Sequence, residues 1–592
     1  MKTKFSFILF LFLFSAIPSL AQQKFYLDLN DRGNDIFTVT LLPQKLSEEN
    51  RIYQFASTAP GTYERMDLGR FVRSFQAYDK DGNEIETKQE SLNQWSISQP
   101  ENVEKIIYEI EDTWDTPVDS DYVYRMGGSN IEDDNVLING HCLFGYFHGM
   151  QSEPILVKID YPDDWLAGTA LKLNEDGYYE AETYDHIVDS PILLGNLTRE
   201  STTVSETKVD VFTYSKTGLI KSSDILGLIE DILKAEDDFT KGLPVDDYTF
   251  LFHFQDVSHG AWEHSYSSEY IYKEDSLTER LKQSIRETVA HEFFHIVTPL
   301  NIHSELVEKF NFEKPVMSQH LWLYEGVTEW ASHILILRDS ITTLEDYLND
   351  LHRKIMYSDN FPDSISLTYL GVNAVDLHDQ YINIYMKGAV VAALLDIRLL
   401  DLSNGERGLR DVINELSHKY GPKKPFNEKT FFDDFTAMTY PEIADFFNRY
   451  VKGTEPLPLK EYYEKIGINY VKEGGYDSSQ ISLGIQVGFD GENFIIAKVD
   501  DESPYSDILK AGDIIDKVDG EKLSMANVQK IFSQISKTHK IGDKIEMTVL
   551  RDDEPIDLEL TLIARKNNHI FSVNENATEK EIELRNAWMR NL

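Results

Sequence analysis

Hydrophobic and polar residues change rhythm twice along this chain. From Gln22 to Leu197 they alternate in short runs, "KFYLDLNDRGNDIFTVTLLP", "RFVRSFQAYDKDGNEIET", "EKIIYEIEDTW" and "EPILVKIDYPDDW", split by Asp-Gly and Pro turn signals. Period-two alternation with that punctuation predicts an antiparallel β domain over residues 22–200. Further on the period lengthens. "SSDILGLIEDILKAEDDF", "ERLKQSIRETVAHEFFHIV", "HLWLYEGVTEWASHILILRDS" and "YMKGAVVAALLDIRLLDLS" space their apolar residues as helices do. One strand, "DDYTFLFHFQDV", precedes most of them, so residues 201–460 are expected to be mainly helical with some sheet at the start. Residues 475–566 return to strands around one helix, "SMANVQKIFSQIS", and the polar residues 567–592 are expected to be a loosely held C-terminal tail. The fold class is multidomain α+β.

Composition sharpens this picture. The 592 residues are too many for one core, and 41% hydrophobic with 12% aromatic content excludes a disordered chain. The opening "MKTKFSFILFLFLFSAIPSLAQQKF" places Lys2 and Lys4 before an apolar run and Ser19-Leu20-Ala21 after it, the pattern of a secretory signal peptide over residues 1–21. Pro18 interrupts the run before it reaches the roughly 20 apolar residues that an anchor needs, and no later segment could span a bilayer. The expectation is an exported protein, periplasmic or extracellular. Cys142 is the one cysteine, so no intrachain disulfide can form, and no cysteine follows the leader to carry a lipid. A formal net charge of −44 repels nucleic acid and anionic membrane, which excludes those partners.

The chemistry gathers in "ETVAHEFFHIVTPLNIHSE". Residues four apart share a helix face, so His291 and His295 can present both imidazoles to one ion while Glu292 turns to an adjacent position. Neutral imidazole suits zinc, and a catalytic zinc keeps three protein ligands and one open position. The third ligand is expected from "LWLYEGVTEW", where Glu325 precedes Gly326 in a strongly helical segment. His303, His320 and His333 lie nearby without that spacing and are read as surface or core residues. Zinc acidifies water, and Glu292 is placed to take the released proton and pass it to a leaving nitrogen, which is amide hydrolysis. Tyr385, in "IYMKGAVVAALL", is the candidate donor to the oxyanion. Glu329, one turn after Glu325, could orient a ligand from outside the metal's own shell.

"HEFFH", "LWLYEGVTEW", "HGAWEHSYSS" and "YMKG", in a chain closing with a PDZ-like unit, together resemble the glycyl aminopeptidase family of zinc metallopeptidases, from about residue 24 to residue 565. The resemblance implies a thermolysin-like catalytic domain behind an N-terminal β domain, and one zinc ion held by His291, His295 and Glu325. It also implies Glu292 as general base and Tyr385 as transition-state donor. In "HGAWEH", the resemblance implies that Glu263 binds the α-ammonium of a peptide with a free N-terminus, and that His259, Gly260 and Ala261 supply backbone along it. Here "IVTPLNIHSE" stands where many relatives carry a Trp and a basic run, and "HGAWEH" replaces Gly-Gly-x-Glu-His. The family's glycine preference is therefore not carried over, and the bulkier Trp262 is read as a residue that could reshape the first pocket, with large or aliphatic N-terminal residues left open. "ISLGIQV" is similar to the carboxylate-binding loop of PDZ domains, which implies a peptide C-terminus as a possible second ligand beside Ile485 to Val487. The reading is an exported zinc aminopeptidase. Its alternatives are an endopeptidase, and a PDZ adaptor whose peptidase-like domain is catalytically weak.

Overall fold

The computed structural model describes residues 22–32, 35–118, 122–256, 260–489, 493–500, 503–524, 527–552 and 554–590. The expected leader, residues 1–21, lies outside the described residues, as does His259. The chain forms two compact units. One comprises Met1–Leu233, Leu243–Leu300 and Leu306–Val316, and the other Lys234–Gly242, Asn301–Glu305 and Met317–Leu592.

In the first unit the alternating segments become an eight-stranded sheet that runs, edge to edge, Lys172–Leu173, Tyr179–Ala181, Ile155–Asp160, Gln23–Asp28, Ile36–Leu42, Lys105–Glu111, Val72–Tyr78, Glu84–Ile85. Two four-stranded sheets accompany it. Pairing is antiparallel as expected, except that Gln23–Asp28 runs parallel to Ile155–Asp160, since a long connection separates them. Alternation supplies the core: Phe25, Leu27, Phe37, Val39, Ile106, Tyr108 and Ile110 all point inward and are buried.

A five-stranded sheet follows in the order Thr198–Val204, Thr207–Ser215, Asp247–Gln255, Ser267–Lys273, Gly260–Glu263. This is more sheet than the single strand expected there. The segment "TRESTTV" hides its strand character because its side chains are short and polar, and it is held by backbone pairing to Thr207–Ser215, with Ser205 at φ +51° in the turn. That hairpin runs across residue 200, where the sequence pattern placed a boundary. Gly260–Glu263 is the edge of the sheet and pairs antiparallel with Ser267–Lys273.

The second unit is built on the helix Asn383–Leu402, which is buried on nearly every side from Lys387 to Leu400. Around it are helices at Thr328–Arg338, Leu344–Ser358, Leu409–Lys419, Phe431–Met438, Glu442–Tyr450 and Leu459–Lys465. The PDZ-like part has the sheet order Ile485–Phe489, Phe494–Val499, Ile514–Val518, Lys544–Arg551, Glu554–Thr561, with the helix Val528–Thr538 contributing Ile531 and Ile535 to its core. Among the described residues, no helix is long and apolar enough to cross a membrane.

The loosely held tail is a correction. Ile563–Val573 is a strand paired along Ile468–Ser482, and Glu579–Met589 is a helix whose first turn is capped by Thr578, with Thr578 and Glu581 bonding reciprocally. The helix buries few apolar residues, so its periodicity is faint, yet Trp588 is fully buried and packs edge-on against Tyr347 with ring centroids 5.5 Å apart. Arg338 clamps it, donating from Nε to the Trp588 carbonyl at 3.0 Å and from Nη2 to Asp396 at 2.6 Å. Trp588→Ala should therefore cost about 3–5 kcal/mol, as buried Trp truncations do. A melting temperature unchanged from wild type would contradict that seat.

Candidate metal centre

The helix Glu279–Phe294 begins at Thr278, whose hydroxyl accepts from the Leu281 N–H, and buries Ile285, Val289 and Phe293 on one stripe. Phe293 packs on Tyr248 and Phe250 of the central strand, with ring centroids 4.8 and 5.5 Å away. That seat sets the helix rotation and so the direction of the histidines. His291, Glu292 and His295 are all buried, and the two imidazoles stand 4.9 Å apart, nearly perpendicular. After His295 the chain turns back, and His295 Nδ1 donates to the Thr298 carbonyl at 2.8 Å. That bond selects the tautomer whose Nε2 lone pair remains for a cation. The pair also sits at the C-terminal end of its helix, where the macrodipole favours positive charge.

Glu325 lies in Trp322–Val327, a π-turn continued directly by the helix Thr328–Arg338. Such turns are rare and re-aim side chains relative to an α-helix. Glu325 is buried. Its neighbour Tyr324 accepts from the Ser304 N–H at 3.1 Å, and Trp322 stacks on Phe432 at 6.1 Å, which pins the turn on both sides. His291, His295 and Glu325 each offer one ligand atom, and those atoms all lie within 4.8 Å of one another. Two imidazoles and a carboxylate are the nitrogen and oxygen donors that zinc accepts, and three of them leave a corner open, so the residues present fit a catalytic zinc.

Two glycines let the segments that carry Tyr385 and Glu325 meet. A Cβ built on Gly326 would lie 2.6 Å from the Gly388 Cα, so the π-turn and the helix Asn383–Leu402 cross backbone to backbone. Tyr385 is three residues before that crossing and Glu325 one residue before it. The Tyr385 hydroxyl shares a hydrogen bond of 2.9 Å with the Tyr381 hydroxyl.

Glu263 ends the edge strand Gly260–Glu263. One ligand atom from each of Glu263, Glu292 and His295 forms a second cluster within 4.8 Å. Two carboxylates so close repel one another, and a cation beside them relieves the repulsion. Gly260 and Ala261 lie on the same strand, whose outer edge meets no further strand of its sheet among the described residues.

Trp262, beside Glu263 in the same strand, is held from the inner side. Its indole is buried in the core of the N-terminal β domain, edge-on to His141 at 5.2 Å and tilted on His264 at 4.7 Å. Gly61, which sequence reading missed, lies beneath Trp262 and Glu263. At φ +78°, its added Cβ would come within 2.5 Å of Trp262 Nε1 and 2.8 Å of Glu263 Oε1. Nothing in a lone Gly-Thr-Tyr tripeptide signals that role. His320 is core, bonded through Nε2 to the Glu428 carbonyl at 2.8 Å, and His333 belongs to a charge network with Glu329 and Asp350.

Residues 24–196 match the Peptidase M61 N-terminal domain, residues 284–391 the M61 glycyl aminopeptidase domain, and residues 477–562 a PDZ domain. No curated protein sequence matches the chain significantly. Among solved structures, the aminopeptidase N family protein from Idiomarina loihiensis superposes with a TM-score of 0.78 at 21% identity, over 96% of this chain and 100% of that one, a likeness of fold. An M1 zinc metallopeptidase from Deinococcus radiodurans, in a variant bound to a Tyr-Ser-Ala substrate, aligns with a TM-score of 0.48 at 12% identity, over 74% of this chain and 95% of that one.

Proposed function

The chain belongs to the M61 glycyl aminopeptidase family of metallopeptidases, carrying both of its domains, and on that ground we propose that it is a zinc aminopeptidase that removes single residues from the free N-termini of peptides. In this reading His291, His295 and Glu325 hold one ion, which when bound supplies a Lewis acid that acidifies water and polarises a carbonyl. Glu292 accepts the proton of the attacking water and delivers it to the leaving nitrogen. Tyr385 donates to the oxyanion. Glu263 receives the α-ammonium, and Gly260 and Ala261 pair with the peptide backbone as an added strand.

The observation that carries the exopeptidase reading is the cluster of Glu263, Glu292 and His295 within 4.8 Å. From an α-nitrogen to the carbonyl carbon of its own residue is two bonds, about 2.5 Å. An ammonium held by Glu263 therefore brings the first peptide bond, and no later one, to Glu292. An internal bond would bring no ammonium to that half-buried acid, which disfavours an endopeptidase. Cleavage of aminoacyl-anilides that N-acetylation abolishes is the expected result, and equal rates on blocked and free substrates would overturn it. Glu263→Ala should lower kcat/KM on free-amine substrates by roughly 10- to 1,000-fold, the worth of a lost charged pair, and leave blocked ones nearly unchanged.

Two further readings rest on the sequence. The leader motif supports export to the periplasm or beyond. The edge position of Ile485–Phe489 in its sheet supports capture of a peptide C-terminus by strand addition. Titration with peptides carrying free or amidated C-termini checks this, because only the free carboxylate should bind.

A further inference from the structure

The helix Leu344–Ser358 is amphipathic, and its inward face carries Tyr347, Leu348, Leu351, Lys354 and Ile355. Four of these are ordinary core residues. Lys354 is not, yet it is as buried as the others. An aliphatic side chain would pack there without the cost of desolvating a charge, and buried ion pairs are poor stabilisers against such replacements. A lysine at an inward helical position breaks the local rule, and such breaks concentrate where function needs them.

Its surroundings show what it holds. Lys354 Nζ lies 2.6 Å from Glu329 Oε1 and 3.0 Å from Asp350 Oδ2. His333 closes the group, with Nε2 at 3.4 Å from Glu329 Oε1 and Nδ1 at 3.1 Å from Asp350 Oδ2. Burial by itself would push the lysine down, and the two carboxylates carry it above its ordinary value instead. Glu329 stands in the first turn of Thr328–Arg338, four residues after Glu325 and just past the π-turn. A π-turn is a local departure from the α-helical ladder, so its exit must be held if the side chain it aims is to stay aimed.

We propose that Lys354 is a positioning residue of the metal centre, acting through Glu329 to fix the turn that presents Glu325. The inference rests on the reading of Glu325 as a zinc ligand. It predicts a role for the clamp that is distinct from bracing the fold, because the loss should appear in metal affinity.

The test uses the full-length protein with zinc affinity measured by competition against a chelator, alongside melting temperature. Lys354→Met should weaken zinc binding by roughly 10- to 100-fold, the range seen when groups behind metal ligands are removed, and Lys354→Arg should restore most of it. Wild-type zinc affinity in a folded Lys354→Met protein overturns the proposal, even if its melting temperature falls. Should that variant fail to fold, Glu329→Gln, which keeps shape and removes one of the two negative charges Lys354 engages, decides instead. Affinity weakened to the same degree supports the proposal, and unchanged affinity overturns it. Failure of the underlying reading is separate: it would show as wild-type zinc affinity in Glu325→Ala.

Discussion

Glu292→Gln is expected to lower kcat by roughly 100- to 10,000-fold while zinc content stays at the wild-type level. The amide matches the carboxylate in shape, so the packing of Phe293 on Tyr248 and Phe250 that orients the helix is untouched. What it lacks is basicity. A glutamine cannot take a proton from water or return it to a leaving amine. The trio of His291, His295 and Glu325 does not include Glu292, so metal content should not follow activity down. One secondary effect is expected. Glu292 shares a cluster with Glu263, and losing one of two neighbouring negative charges should weaken the hold on an ammonium, raising KM modestly for free-amine substrates. Elemental analysis beside steady-state kinetics checks both statements. A variant turning over near the wild-type rate would remove Glu292 from the mechanism.

Glu325→Ala should abolish activity by a different route, through the metal. Two imidazoles alone hold zinc far more weakly than three ligands, and the variant is expected to lose its ion on dialysis where wild type retains about one per chain. Because Glu325 is buried in a turn pinned by Tyr324 and Trp322, truncation should leave the fold largely intact. A smaller cavity cost of about 1–2 kcal/mol is expected, offset by no longer burying a carboxylate. The two variants thus separate cleanly. Glu292→Gln keeps metal and loses turnover, and Glu325→Ala loses both. Retained zinc in Glu325→Ala would mean that another residue completes the site.

Much of the fold was legible because it depends on local periodicity. Alternation along residues 22–200 marks strands whatever they pair with, and the stripe around His291 marks a helix whatever it packs on. The strand Thr198–Val204 escaped because polar side chains carry no alternation, and the helix Glu579–Met589 escaped because only Leu584 and Trp588 face inward. In each case the element is held by a partner that the local sequence does not show.

The amino-acid sequence by itself determined the residue types and the four-residue spacing of His291 and His295. Helical geometry turns that spacing into shared direction without help from the rest of the chain. Tertiary structure alone decided which distant residues meet: Gly326 against Gly388, Gly61 beneath Glu263, Lys354 on Glu329. Those contacts join segments 25 to about 200 residues apart, and they exist because whole helices and sheets pack against each other. No local pattern encodes a meeting of that kind, since each segment would look the same if it packed elsewhere.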